Sequence, residues 1–185
     1  MSTVIGIDQS VRHTGVCVLS ETGALEALAL IEPPMQEPGA RLAYIRDELK
    51  SYFTPQVRAA VMEGYSYNSV NKKFLLGEVG AIVKLTVFEA NVTLYEAAPK
   101  QLKKFVTGKG GASKEDVMRA IEDRWKTRIT NDNLADAYGL ACLARELVWP
   151  SSSTRSQLEV TRAILRKGLL KRIPTPKVKG LQGAL

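Results

Sequence analysis

Cysteine and histidine are nearly missing from this chain: Cys17, Cys142 and the lone His13 are the only ones among 185 residues. Neither cysteine sits in a CxxC pair, and each lies in an apolar stretch. Both are expected as small buried hydrophobes, which leaves no zinc site and no disulfide framework. One histidine cannot supply a histidine metal cluster, and no serine-histidine-aspartate set suggests itself. A run of about 18 apolar residues, the length a membrane span needs, does not occur. The opening MSTVIGID enters a strand-like pattern at once and lacks the basic and apolar regions of a secretory signal. There is no phosphate-loop lysine motif and no internal repeat. A reducing cytoplasm is the expected location.

The length suits one domain with a proper core. Charge is unevenly spread along it. Of 26 basic and 19 acidic side chains, residues 151–185 hold Arg155, Arg162, Arg166, Lys167, Lys171, Arg172, Lys177 and Lys179 against Glu159 alone. The whole formal charge of +7 therefore lies in the tail, and the body is neutral. We expect a body over 1–149 and a basic C-terminal extension over 150–185. Such an extension suits a polyanionic partner, because sequence-independent DNA affinity comes mostly from such charges. The plainer reading is a solubilising tail.

Val4 to Ile7 form a short apolar run ending at Asp8, and 14–20 is rich in strand formers. Residues 24–31 are ambiguous by period, but Thr22-Gly23 and hairpin-like spacing favour a third strand. After a proline-rich loop, Leu42, Ile45, Leu49 and Phe53 give helical spacing over 40–53. A fourth strand covers 57–63 and ends at Glu63. A helix over 70–90 is apolar nearly all round, which predicts burial on two sides, one on the sheet and one on a second subunit. Gly77 and Gly80 in it are expected to allow close backbone approach. A fifth strand covers 91–97. Pro99 starts a short helix bearing Lys100, Lys103 and Lys104, and the loop Gly108-Lys109-Gly110-Gly111 follows. Ser113 is an N-cap for a helix to about Lys126, and Asn131 or Asp132 caps another over 133–148. Residues 156–172 suggest an amphipathic helix, and the last dozen residues are expected to stay disordered. The resulting class is α/β, a mixed five-stranded sheet flanked by helices.

Three acids occupy notable places. Asp8 ends the first strand, Glu63 ends the fourth, and Asp136 stands near the start of an otherwise apolar helix. Asp132, one turn earlier, shares its helix face. If these four converge, their repulsion raises their pKa values unless cations lie between them. Magnesium, which takes oxygen ligands and works with substrate phosphates, is the natural occupant. Two such ions can activate a water and stabilise a leaving oxygen in phosphodiester hydrolysis. Taken singly, an acid at a strand end is usually a solvated loop residue, and Asp132 alone usually a cap.

The segments GIDQSVRHTGVCVL, AAVMEGYSY, LLGEVGAIV, YEAAPKQLKKFVTGKGGASKEDV and LADAYGLACLA occur in this order through most of residues 1–148. Together they resemble the RuvC-type Holliday-junction resolvases. The resemblance implies a ribonuclease-H-like fold and symmetric nicking of branched DNA by a homodimer with Mg²⁺, two ions being expected and Mn²⁺ a substitute. It maps metal ligands onto Asp8, Glu63 and Asp136. Bacterial members carry the fourth ligand three residues before the last aspartate, where this chain has Asn133. Asp132 is the better ligand chemically, and its four-residue spacing resembles some viral and mitochondrial relatives. Lys114 matches a basic residue near the scissile phosphate. Tyr65 and Tyr67 fall where members place an aromatic against unstacked junction bases, and Lys103, Lys104 and Lys109 join Lys114 as expected DNA contacts. Gln9-Ser10-Val11 departs from the commoner Pro-Gly-Ser. His13, in the turn between strands, is expected to be structural.

Other readings compete. A junction-binding protein without cleavage would gain nothing from acids facing phosphates. A ribonuclease acting on RNA–DNA hybrids is the nearest enzymatic alternative. A sugar-kinase-like or actin-like ATPase needs a second such domain, for which the chain is too short. For a viral member the location would be the host cytoplasm. The tail could instead dock a protein partner through Leu158, Ile164 and Leu165.

Overall fold

A computed structural model describes residues 1–64, 73–151 and 154–167. In chain order the elements are β1 (Thr3–Asp8), β2 (Thr14–Ser20), β3 (Leu25–Ile31), α1 (Pro38–Tyr52), β4 (Val57–Glu63), α2 (Lys73–Glu89), β5 (Thr93–Ala97), α3 (Pro99–Thr107), α4 (Lys114–Trp125), α5 (Asp132–Val148) and α6 (Arg155–Arg166). The five strands form one mixed sheet in the order β3-β2-β1-β4-β5. β1–β2 and β2–β3 are antiparallel, whereas β1–β4 and β4–β5 are parallel. This is the mixed, helix-flanked sheet that the hydrophobic pattern predicts.

Side chains alternate across the sheet and build two cores. On one face Val4, Cys17, Ala59 and Val61 meet α5 and the helices around it. On the other Ile5, Ile7, Val16, Ala60 and Met62 meet α1 and α2. Each fully buried valine, isoleucine or methionine among them contributes about 1.5–3 kcal/mol. α5 lies unusually low on the sheet because glycines face it. A Cβ on Gly6 would stand 2.1 Å from the Ala137 carbonyl oxygen and 2.2 Å from the Ala141 nitrogen, and one on Gly15 would stand 2.5 Å from the Asn133 oxygen. Only glycine permits that approach.

Within this chain α2 is enclosed on one side only. Val79, Val83 and Val87 are buried, while Phe74 is 81% exposed and Leu85 and Phe88 nearly half exposed. Gly77 and Gly80 lie one turn apart but meet different surroundings: a Cβ on Gly77 would meet open space, whereas Gly80 is buried.

The extension also differs from expectation. α6, capped by the Thr154 hydroxyl accepting from the Gln157 N–H, packs on the body rather than standing off it. Val160 and Ile164 are 3% and 2% exposed and belong to the α5-side core. Ile164 therefore cannot join Leu158 and Leu165 on an outward docking face. Those two are exposed, as are Arg155, Arg162 and Arg166. Cutting the chain at 150 would open part of the core. The tail expected to be disordered lies outside the described residues.

Candidate active site

The sheet alternation that buries Val4 and seats Gly6 under α5 also turns Asp8 toward α5. The same holds for Glu63, two residues beyond Val61 on β4. Both are the last residues of adjacent parallel strands, so both lie at one edge of the sheet. α5 runs over that edge. Its cap is Asn131, whose Oδ1 accepts from the Leu134 N–H at 3.1 Å. Asp132 is therefore the first helical residue, free of capping, where the helix dipole favours an acid. Asp136 follows one turn later on the same face.

The four carboxylates interact electrostatically. Burial pushes the Asp8 carboxyl well above its usual range, and Glu63, Asp136 and Asp132 push it further, against Lys114. Asp8 is 6% exposed. Burial and then Asp136 raise Glu63 to about 7, opposed by Lys103 and Lys114. Burial first, then Asp132, raises Asp136 to about 6, with Lys114 and Lys103 opposing. Asp132 behaves differently: Lys114 Nζ donates to its Oδ2 and holds its carboxyl below the usual range. Asp8, Glu63, Asp132 and Asp136 thus lie near enough to feel one another's charge, with Lys114 and Lys103 as neighbouring cations.

These acids do not form a ready-made cage. Among the described residues no three histidine, cysteine, aspartate or glutamate side chains are grouped so that they could hold a metal ion as they stand. One of the four, Asp132, is instead taken up by the Lys114 ammonium. The donor set still suits a hard cation, being all carboxylate oxygen, with Cys17 and Cys142 buried within the core.

The other expected residues fall as follows. Lys104 faces away from the cluster and pairs with Glu159 of α6 at 2.5 Å, a partner that also receives Arg155 at 3.3 Å. Lys109 is exposed in the loop between α3 and α4. Tyr65 and Tyr67 lie outside the described residues. His13 pairs with Glu32 at 2.8 Å across the β1–β2 turn and the end of β3. Thr14 Oγ1, fully buried, donates to the Ser10 carbonyl at 2.8 Å and fixes the same turn. The sequence reading missed Gln9, which is 6% exposed and donates through Nε2 to the Glu63 carbonyl at 2.9 Å. The available signal was a polar residue directly after a strand-end acid.

The family model described as crossover junction endodeoxyribonuclease RuvC matches residues 4–144. The crossover junction endodeoxyribonuclease RuvC of Xanthobacter autotrophicus is 34% identical over 125 residues, 64% of this chain and 73% of that protein. That of Prosthecochloris aestuarii is 37% identical over 122 residues, covering 62% of this chain and 64% of the relative. Among solved structures, T. thermophilus RuvC in complex with Holliday junction substrate superposes with a TM-score of 0.69 at 23% identity, over 90% of this chain and 96% of that one. At that identity the likeness speaks for the fold.

Proposed function

The chain belongs to the RuvC family of crossover junction endodeoxyribonucleases, and from that premise we propose that it resolves four-way DNA junctions by metal-dependent phosphodiester hydrolysis. The observation that carries the reading is the meeting of Asp8, Glu63 and Asp136, with Asp132 beside them, at one sheet edge under α5. We assign the four carboxylates as ligands for Mg²⁺, with two ions and with Mn²⁺ as a substitute. Such ions supply a more acidic water and neutralise charge on the phosphate. The protein's own part is placement. β1 and β4 present Asp8 and Glu63 side by side, and α5 presents Asp132 and Asp136 one turn apart. Lys114, once released from Asp132, and Lys103, whose charges already act on Glu63 and Asp136, would balance a phosphate. Lys109 is exposed in the loop between α3 and α4, while Lys104 reaches DNA only by giving up Glu159. Tyr65 and Tyr67 remain assigned to unpaired bases on the resemblance. The test is a cleavage assay with a synthetic four-way junction, a linear duplex and an RNA–DNA hybrid, each with Mg²⁺ or EDTA. Selective, Mg²⁺-dependent junction cutting is expected; preference for the hybrid would favour the ribonuclease reading.

Metal and protons compete for this site, which gives a pH dependence. Glu63 and Asp136 hold protons in the folded chain to about 7 and about 6, above their ordinary values. A carboxyl raised on folding means that the folded state binds more protons than the unfolded one. Its contribution to stability is thus lost as pH rises from the ordinary carboxylate range toward the raised value. Bound metal replaces those protons. The rise in Tm produced by Mg²⁺ should therefore be larger at pH 8 than at pH 5, on the order of 5 °C. Scanning calorimetry in EDTA and in Mg²⁺ at both pH values checks it, and an equal or smaller rise at pH 8 would remove the competition.

The homodimer is also part of the proposal. Phe74, Leu85 and Phe88 form an exposed apolar stripe along α2, on the side away from Val79 and Val83. A two-fold pairing through this stripe places two sites to nick symmetrically. Phe88→Asp should leave the fold intact and shift the protein from dimer to monomer in light scattering at micromolar concentration. A monomeric parent chain under those conditions would exclude the interface. We divide the chain into a nuclease body over 1–149 and a basic extension over 150–185. The exposed Arg155, Arg162 and Arg166 of α6 favour DNA phosphates over a protein as the partner of that extension.

A further inference from the structure

We propose that Gln9 is a positioning residue for the carboxylate site, fixing the peptide unit that follows Glu63. The inference rests on the assignment of Asp8 and Glu63 as metal ligands. Gln9 comes directly after β1 and is nearly fully buried, which is uncommon for glutamine. The last backbone pair between β1 and β4 is Ile7 with Met62. Beyond it the Gln9 side chain takes over, its Nε2 donating to the Glu63 carbonyl at 2.9 Å across 54 residues of sequence. The same peptide unit is held on its other side, where the Gly64 N–H donates to the Ala97 carbonyl of β5 at 2.8 Å. One peptide plane is thus gripped from both neighbouring strands, at the point where β4 ends and Glu63 projects.

Parallel strand ends have no hairpin to keep them together, so they are free to splay once their ladder stops. A splayed β4 would carry Glu63 away from Asp8 and from α5. The amide of Gln9 extends the β1–β4 ladder by one bond and prevents this. It also ties the two assigned ligands together, since Gln9 is the chain neighbour of Asp8 and hydrogen-bonds to the backbone of Glu63. Groups that orient metal ligands in this way typically matter about 10–100-fold in metal affinity. A methionine has nearly the same shape without the donor, so packing alone does not call for glutamine here. Gln9 Oε1 is buried without a hydrogen-bond partner among the described residues, so its bond to Glu63 is the one that orients the amide.

The test compares the parent chain, Gln9→Met and Asp8→Asn by melting in EDTA and across a Mg²⁺ titration. For Gln9→Met the Tm in EDTA should stay within a few degrees of the parent, while the Mg²⁺ concentration that gives half of the metal-induced rise should increase about tenfold. Gln9→Asn, which keeps an amide but is one methylene too short, should behave alike. A half-saturating Mg²⁺ concentration unchanged from the parent in both variants would overturn the proposal. So would a fall of Tm in EDTA as large as the fall in Mg²⁺, because that marks a purely structural side chain. If the parent shows a metal-induced rise that Asp8→Asn retains in full, the ligand assignment itself has failed, and this is distinguishable from a failure at Gln9 alone.

Discussion

Asp8→Asn protein should bind a four-way junction at least as tightly as the parent chain and cut it about 10³-fold more slowly or not at all. The amide has the size of the carboxylate but carries no charge to hold a cation, and metal assistance is worth several kcal/mol in such a reaction. Binding survives because the substitution takes a negative charge away from a surface that must face phosphates. Stability in EDTA should hold or rise, since Asp8 is buried and its carboxyl is pushed well above the ordinary range by that burial and by Glu63. Single-turnover cleavage with saturating enzyme separates this from a loss of affinity. Full Mg²⁺-dependent cutting by the variant would sink the ligand assignment.

Gly6→Ala should be severely damaging for a single added methyl. The added Cβ would stand 2.1 Å from the Ala137 carbonyl oxygen, 2.2 Å from the Ala141 nitrogen and 2.8 Å from the Leu140 carbonyl carbon. All three are backbone atoms of α5, so no rotamer change relieves the clash and the helix itself must lift. Overpacking usually costs about 1–3 kcal/mol, and backbone against backbone belongs at the upper end. A loss of Tm on the order of 10 °C follows for a chain of this size. Because Asp136 rides on the same helix, lifting α5 also draws its carboxyl away from Asp8 and Glu63, so folded Gly6→Ala protein should cut poorly. Thermal melting together with cleavage at a temperature where the variant is folded measures both. A variant with the parent's Tm would mean that α5 does not lie on β1 as described. Gly77→Ala is the natural control, since its Cβ would meet nothing within 4 Å.

How far these features could be read from the chain depends on their range. Strand and helix positions are local: β-branched runs, proline stops and caps place nearly every element within a residue or two, and strand-end acids stand out because the apolar run stops at them. Packing between distant segments is not local. Nothing in the order of residues says that Gly6 and Gly15 are there for α5, although that contact sets the height of Asp136. The cap of α5 was ambiguous between Asn131 and Asp132 because both residue types cap well; the structure gives the role to Asn131 and leaves Asp132 to Lys114. Ile164 was misplaced for a related reason. An amphipathic helix in a basic tail looks like a docking segment until its apolar side is seen to be used by the body. In the sequence Gln9 is only a departure from the commoner turn, because its partner is 54 residues away.

We assign Asp8, Glu63, Asp132 and Asp136 together as the holders of the metal used in cleavage. Anomalous diffraction from crystals of the parent chain grown or soaked with Mn²⁺ tests this assignment most directly. The predicted result is anomalous density at the ends of β1 and β4, with Asp8, Glu63 and Asp136 as ligands and Asp132 turned from Lys114 toward the metal. Mn²⁺ bound elsewhere on the protein, with this edge of the sheet free of anomalous density and Lys114 still paired to Asp132, would contradict it.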